Sequence, residues 1–276
     1  MKLNQIVEKK QLNQVVYLMG IYNPAVANKA KAGQFVIFKH KESERIPLTI
    51  ADCNSKMGIV YIVFQQAGVS TAILSRANVG EQLDHFAGPL GNATNFEKVK
   101  SACVVAGGVG AAIAYPIAKT LHSQNAKVDA ILGFRSKNLV FFEEKFQTVA
   151  DTHIVTDDGS YAQKGLVTYS LEQLLNTKQY DCVFVVGPLP MMKAVANLTK
   201  EYSVKTIASM NPIMIDGTGM CGGCRLTVDG KTKFACVDGP DFDAHKVDFD
   251  QLIARNKTYQ QFERHAYDKY CNLLKK

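Results

Sequence analysis

No stretch of this 276-residue chain approaches the ~18 consecutive apolar residues that a membrane-crossing helix needs. The opening Met1-Lys2-Leu3-Asn4-Gln5 lacks the apolar core of a signal peptide, so the chain is expected to stay in the cytoplasm, with no membrane partner. Disulfides are rare there, and seven cysteines need another explanation. There is no run of Lys and Arg interleaved with aromatics, which argues against nucleic acid. The excess of 32 Lys+Arg over 25 Asp+Glu, +7, fits anionic ligands such as dinucleotides or an acidic protein partner instead. The six histidines show no metal or triad spacing. No internal repeat or low-complexity tract occurs. What is present is 47% hydrophobic and 21% charged residues, the make-up of a chain that buries a core, in a length that allows two domains and a small appended module.

The text divides into three regions. Val15-Val16-Tyr17-Leu18, Phe35-Val36-Ile37-Phe38 and Ile59 to Phe64 are β-branched and aromatic runs separated by turn signals at Asn23-Pro24, Ala32-Gly33 and Asp52 to Gly58. Only Thr71 to Ala77 reads as helix. Residues 1–97 therefore read as a small antiparallel β-barrel. From Ala102 the pattern alternates. Strands are expected at Ala102–Ala106, Val128–Leu132, His153–Val155, Cys182–Val186 and Thr206–Ser209, with helices at Ala111–Leu121, Phe141–Val149, Leu171–Leu175 and Met191–Lys200. Such alternation makes residues 98–210 a doubly wound parallel α/β sheet. The boundary falls at the polar Asn92-Ala93-Thr94-Asn95. Residues 211–276 form a third module, rich in Gly and Cys and ending in a polar stretch, Asp248 to Lys276, read as one helix whose end, Lys275-Lys276, is a solvated tail.

Cys53, Cys103, Cys182 and Cys271 stand alone and read as small hydrophobes. The remaining three are clustered. Asp216, Cys221, Cys224 and Cys236 have the spacing D-x4-C-x2-C-x11-C, which matches the plant-type [2Fe–2S] pattern with Asp216 in the place of the first cysteine. Two thiolates two residues apart can bind neighbouring positions of one cluster. The glycines let backbone N–H groups bend inward, and Asp229-Gly230 folds a hairpin that returns Cys236 to the site. A structural zinc site with three thiolates and a carboxylate is the alternative, although zinc ribbons usually pair two C-x2-C knuckles. Cys271 is a second-ranked ligand should Asp216 merely cap the turn.

The segment Met210-Asn211-Pro212-Ile213-Met214-Ile215-Asp216-Gly217-Thr218-Gly219-Met220-Cys221-Gly222-Gly223-Cys224-Arg225 resembles the small, FAD-containing subunit of the NADH-dependent reduced ferredoxin:NADP oxidoreductase family. It is also similar to the electron-transfer subunit of dihydroorotate dehydrogenase, where a cysteine is expected in place of Asp216. Both belong to the ferredoxin-reductase superfamily, and the resemblance covers nearly the whole chain. It implies an FAD barrel, a nucleotide domain for NAD(H) or NADP(H), and a [2Fe–2S] cluster on Asp216, Cys221, Cys224 and Cys236. It further implies a larger partner with flavin and [4Fe–4S] clusters, of the glutamate-synthase small-subunit type, and electron bifurcation with ferredoxin and NADP.

Two further regions fit that resemblance. Arg45-Ile46-Pro47-Leu48-Thr49-Ile50 resembles the superfamily's flavin strand, with Thr49 near the reactive edge of the ring and Pro47 and Leu48 along it. Arg45 stands four residues before the hydroxyl rather than three, an offset that turns a strand side chain to the other face. Gly68-Val69-Ser70-Thr71 opens the barrel's helix, either a pyrophosphate seat or an ordinary Ser cap. Gly107-Gly108-Val109-Gly110 follows a strand and opens a helix, and resembles the superfamily's G-G-x-G-x-A nucleotide turn. Gly187-Pro188 resembles its G-P turn beside the nicotinamide. Phe134 to Lys137 and Thr156 to Ser160 read either as the edge of the nucleotide site or as solvated loops.

Overall fold

The computed structural model describes residues 1–273; the last three, including the expected Lys275-Lys276 tail and the end of the expected C-terminal helix, lie outside the described residues. The first sheet contains β1 (Gln5–Gln11), β2 (Val16–Tyr22), β3 (Phe35–Lys39), β4 (Ile46–Asn54), β5 (Ile59–Gln65) and β6 (His85–Leu90), with the short helix α1 (Pro24–Ala27) after β2 and α2 (Val69–Arg76) after β5. All its pairings are antiparallel, in the order β1-β2-β5-β4-β3-β6. A bridge from Gln5 to Gln82, with the Ile6 N–H donating to the Glu81 carbonyl, ties β1 to the approach of β6 and closes the barrel. β3 reads as an unbroken apolar run because both of its faces are covered. Val36 and Phe38 fill the barrel, while Phe35 and Ile37 enter the core shared with the rest of the molecule.

The second sheet runs β10-β9-β8-β7-β11-β12-β15. Its strands are β7 (Ser101–Gly107), β8 (Lys127–Phe134), β9 (Asp151–Thr156), β10 (Gln163–Lys164), β11 (Cys182–Val186) and β12 (Thr206–Ser209), all parallel. Alternate residues supply its two faces. Cys103, Val105, Val183 and Val185 pack beneath α5 (Val167–Leu175) and α6 (Leu189–Glu201), whereas Val104, Leu132 and Phe184 pack beneath α3 (Gly110–Ser123) and α4 (Glu143–Gln147). The chain winds outward from β7 to β10, then starts again on the other side of β7 with β11. That reversal is the topological switch point, and α/β sheets bind ligands beside the C-terminal ends of the strands there.

The third region starts with a hairpin, β13 (Arg225–Val228) and β14 (Lys231–Phe234), turned by Asp229 and Gly230, both with positive φ as a type I′ turn requires. It is not detached. β15 (Asp241–Asp243) joins the second sheet antiparallel to β12, with Ser209 opposite Asp241. The expected helix from Asp248 is broken into α7 (Phe249–Lys257) and α8 (Gln260–Leu273), and α8 packs against α2 of the barrel. The helix expected over Phe141–Val149 shortens to α4 because Phe142 takes a left-handed conformation ahead of it. Among the described residues no helix is long and apolar enough to cross a membrane.

Candidate functional site

A cavity of about 820 Å³ opens between the barrel and the second sheet. On the barrel side its wall includes Thr49, half-buried on β4 opposite Phe35. β4 pairs with β5 only from Ile50 onward, so Ile46 to Thr49 are bonded on one side and leave the other open. Pro47, which has no N–H, fits that edge. Ile50 N–H donates to Gln34 O, so alternation turns the Thr49 N–H toward the open side, where it can meet a planar ligand. Leu48 departs from the sequence expectation. Alternation turns its side chain into the barrel core and its N–H into the β3 ladder, so it faces away from the cleft.

Opposite Thr49 stand Gly107 to Gly110 and Gly187-Pro188, at the C-terminal ends of β7 and β11. These glycines differ in what they exclude. A Cβ on Gly107 would lie 2.5 Å from Met191 Sδ, and one on Gly187 would lie 2.6 Å from Met191 Cε, so the two turns interlock. A Cβ on Gly110 would lie 2.5 Å from the Val186 carbonyl, which sets how closely α3 approaches β11. Gly108 has φ +56 and open space where its Cβ would be, facing the cleft, while its N–H donates to Gly133 O at 2.8 Å. Arg135 and Asp157, at the tips of β8 and β9, extend the same cavity. Asp158 turns away, accepting from the N–H and hydroxyl of Ser160, and Lys137 lies over the Tyr161 ring. Sequence reasoning missed Val15-Val16 of the β1–β2 hairpin and Asn211. The hairpin tip carries no signal, but Asn211 could have been found because it follows the C-terminal end of a sheet strand.

The seat at α2 is partly used by the protein itself. The Thr71 hydroxyl accepts from the N–H groups of Ala67 and Gly68, both at 3.0 Å, so it shapes the turn rather than facing a ligand. The Ser70 hydroxyl accepts from Glu44 N–H at 3.1 Å, which brings the exposed Arg45 loop to the same helix end. The first N–H groups of α2 have no partner within the helix, and space beside Gly68 is open. Arg45, Ser70 and Gly68 thus meet at an anion-competent corner.

In the third region the hairpin brings Cys224 and Cys236 together, with Sγ atoms 3.2 Å apart and both buried. Burial and the Cys224 neighbour push the Cys236 thiol up to about 12. Two thiols this close need a bound cation to be thiolates together. Gly217, Gly219 and Gly222 have positive φ, and Gly223 N–H donates to Cys221 Sγ at 3.4 Å. The Asp216 carboxylate accepts from the N–H groups of Thr218 and Cys221 at 2.6 and 2.8 Å, which hold it below the ordinary carboxylate range. No three ligand atoms among Asp216, Cys221, Cys224 and Cys236 lie within 4.8 Å of one another. A tetrahedral zinc site, with metal–sulfur bonds of about 2.3 Å, would gather all four. A two-iron cluster divides its ligands between two metals, and one tight cysteine pair with two ligands farther off fits that better. Cys271 rides on α8, against the barrel. The one tight carboxylate–His group among the described residues, Asp129, Asp151 and His153, is already neutralised by Lys178, whose Nζ lies 2.6 Å from Asp129.

Residues 211–248 match the family model of the iron-sulfur cluster binding domain of dihydroorotate dehydrogenase B. The dihydroorotate dehydrogenase B (NAD(+)) electron transfer subunit homolog of Thermotoga maritima is 40% identical over 97% of this chain and 95% of its own. The corresponding electron transfer subunit of Bacillus pumilus is 36% identical, over 88% of this chain and 96% of its own. A chain from the solved NADH-dependent reduced ferredoxin-NADP oxidoreductase, described for flavin-based electron bifurcation, superposes with a TM-score of 0.93 at 39% identity, over 98% of this chain and 99% of that one. Ferredoxin and cytochrome P450 reductases below 20% identity, at a TM-score of 0.63, share the ferredoxin-reductase-like fold. The chain belongs to the family of dihydroorotate dehydrogenase B electron transfer subunits and their homologues, oxidoreductase electron-transfer subunits on the ferredoxin-reductase fold.

Proposed function

We propose that this subunit exchanges a hydride between NAD(H) and FAD in the cleft, and hands electrons singly to a larger partner through a [2Fe–2S] cluster on Asp216, Cys221, Cys224 and Cys236. The observation that carries the reading is the single cavity whose walls are Thr49 and the interlocked turns Gly107–Gly110 and Gly187-Pro188. When bound, FAD supplies the step between two-electron and one-electron chemistry, and the protein supplies distance, stacking and electrostatics.

Each part of the chain has a defined task in that scheme. The open edge of Ile46 to Thr49 orients the flavin ring. Gly108 leaves room for the nicotinamide nucleotide, whose phosphates meet the N-terminus of α3. Gly217 seats the cluster loop on the barrel, since a Cβ there would lie 2.9 Å from both Ile37 and Leu90. Ile37 pairs with Pro47 and Phe35 with Thr49, so the cluster loop and the cleft lean on the same outer face of the β3–β4 pair, side by side. Met220, 88% exposed, and Ile215 surround the loop with apolar surface suited to a partner.

Similarity to the ferredoxin–NADP oxidoreductase chain, and the carboxylate at position 216, favour a bifurcating complex with a large flavin and [4Fe–4S] subunit over a dihydroorotate dehydrogenase. The test is native purification under anaerobic conditions, with flavin, iron and sulfide assays and an NADH titration. A large subunit other than dihydroorotate dehydrogenase is expected to co-purify, and this subunit produced alone is expected to carry one FAD, bleached by NADH, and two irons. Colourless protein carrying zinc would refute the reading.

A further inference from the structure

We propose that the C-terminal helix α8 is part of the flavin site, and that Tyr267 on it holds the adenosine half of the FAD. This rests on reading β4 and the α2 corner as flavin-binding. α7 packs on the hairpin strand β13, the chain turns at Thr258-Tyr259, and α8 then crosses to the barrel and packs on α2. The contact is specific. Gln66 Nε2 donates to the Tyr267 hydroxyl at 3.3 Å, and Gln66 Oε1 accepts from the Ser75 hydroxyl at 3.0 Å.

Gln66 occupies the joint between the two halves of the proposed site. Gln65 before it lines the cleft, and the Gln66 N–H donates to the carbonyl of Val15, another cleft residue, at 2.8 Å. Two residues after it comes Gly68, with open space where a Cβ would lie. A dinucleotide with its ring at Thr49 and its pyrophosphate at Gly68 must send its adenosine outward past this corner. The side chain waiting there from a distant part of the chain is Tyr267.

The burial of α8 also calls for an occupant. Tyr267, Tyr270 and Cys271, at i, i+3 and i+4, are its half-buried face, whereas Gln260 to Ala266 are exposed all round and Phe262 is 75% exposed. A 14-residue helix is marginal without tertiary burial, and one half-buried stripe gives it little. An adenine laid against the tyrosine adds a flat apolar contact, and base–aromatic stacking is sequence-tolerant and strong enough to matter.

The full chain, stripped of flavin, is titrated with FAD and with FMN, which lacks the adenosine half, by flavin fluorescence. Tyr267→Ala is expected to weaken FAD about 10-fold or more and leave FMN binding unchanged, while Tyr267→Phe, which keeps the ring, restores most of the FAD affinity. In wild-type protein FAD, but not FMN, is expected to slow amide exchange in α8, a readout independent of any variant. Equal loss of FAD and FMN affinity would make α8 a structural clamp and overturn the proposal, as would unchanged FAD affinity or unchanged exchange. Wild-type protein that binds neither flavin would show that the flavin reading itself had failed, and the proposal with it.

Discussion

Replacing Gly108 separates what the turn proposed for the nucleotide does for folding from what it does for the ligand. Gly108 has φ +56 and no protein atom within 4 Å of the point where a Cβ would stand, so Gly108→Ala meets only the left-handed penalty of an L residue, about 1–2 kcal/mol. For a chain of this size each kcal/mol lowers Tm by about 2–4 °C. The added methyl projects into the cleft, where the nicotinamide nucleotide is expected, and Gly108→Leu fills that space further. Loss of NADH affinity by about 10-fold, equivalent to about 1.4 kcal/mol, is expected for Gly108→Ala and more for Gly108→Leu, with FAD retained. Gly110→Ala is the control. Its Cβ would sit 2.5 Å from the Val186 carbonyl, so α3 must lift from β11 at an overpacking cost of about 1–3 kcal/mol. The assay is anaerobic titration of flavin absorbance with NADH beside a thermal melt. Folded, FAD-loaded Gly108→Leu with unchanged NADH affinity would refute the placement of the nucleotide.

Three further outcomes are expected. Asp216→Cys should keep a two-iron centre with a changed EPR spectrum, whereas Asp216→Ala, Cys221→Ala, Cys224→Ala and Cys236→Ala make it labile; an unchanged spectrum in Asp216→Cys with cluster loss in Cys271→Ala would make Asp216 only the cap of its turn. Burial raises the carboxyl of Asp241, which accepts from the Thr94 hydroxyl through one oxygen and, among the described residues, has no hydrogen-bond partner for the other. Its folded-state proton stabilises the protein below the unfolded carboxylate range and that stability is lost as pH rises through the raised native value, so Asp241→Asn should flatten the decline in guanidinium midpoint as pH rises above the ordinary carboxylate range, relative to wild type. Asp129→Ala removes the acceptor of the buried Tyr180 hydroxyl but leaves Lys178 and His153 near water, and should cost about 1–3 kcal/mol in chemical denaturation rather than the larger loss of a sealed ion pair.

Legibility followed burial. β3, β7 and β11 are covered on both faces, and their apolar runs appear in the sequence at nearly their true bounds. β1 reads as polar, Gln-Ile-Val-Glu-Lys-Lys-Gln, because it buries only Ile6 and is held by backbone pairing to β2. β6 carries Gly88 and Pro89, and β15 is Asp-Phe-Asp; neither has strand chemistry, and each exists because a neighbour supplies the ladder. The same division holds at the site. Glycine turns and cysteine spacing are local and were readable. The inward face of Leu48, the turn-making role of Thr71 and the cleft position of Asn211 depend on partners that only the fold brings near.

Those partners also explain why the cysteine segment cannot swing free of the cleft. It leaves the sheet after β12, where Ser209, Met210 and Asn211 line the cavity, and re-enters the same sheet as β15 beside Ser209. A loop anchored at both ends on one strand pair has little freedom to translate. The barrel side adds a second restraint. Asn92 N–H donates to Gly239 O at 2.7 Å and its side-chain amide to Val237 O at 3.0 Å, while Gly217 rests on Ile37 and Leu90. Motion that opened the cleft by moving the barrel off the second sheet would have to break these contacts or carry the loop along. The distance from Thr49 to Cys224 is therefore a property of the closed fold, set by β3 and β4 on one side and β12 and β15 on the other. A subunit that passes electrons needs that distance constant, and the glycine turns proposed for the nucleotide stand on β7 and β11, in the same sheet as the β12 anchor, so turns and loop are held in one frame.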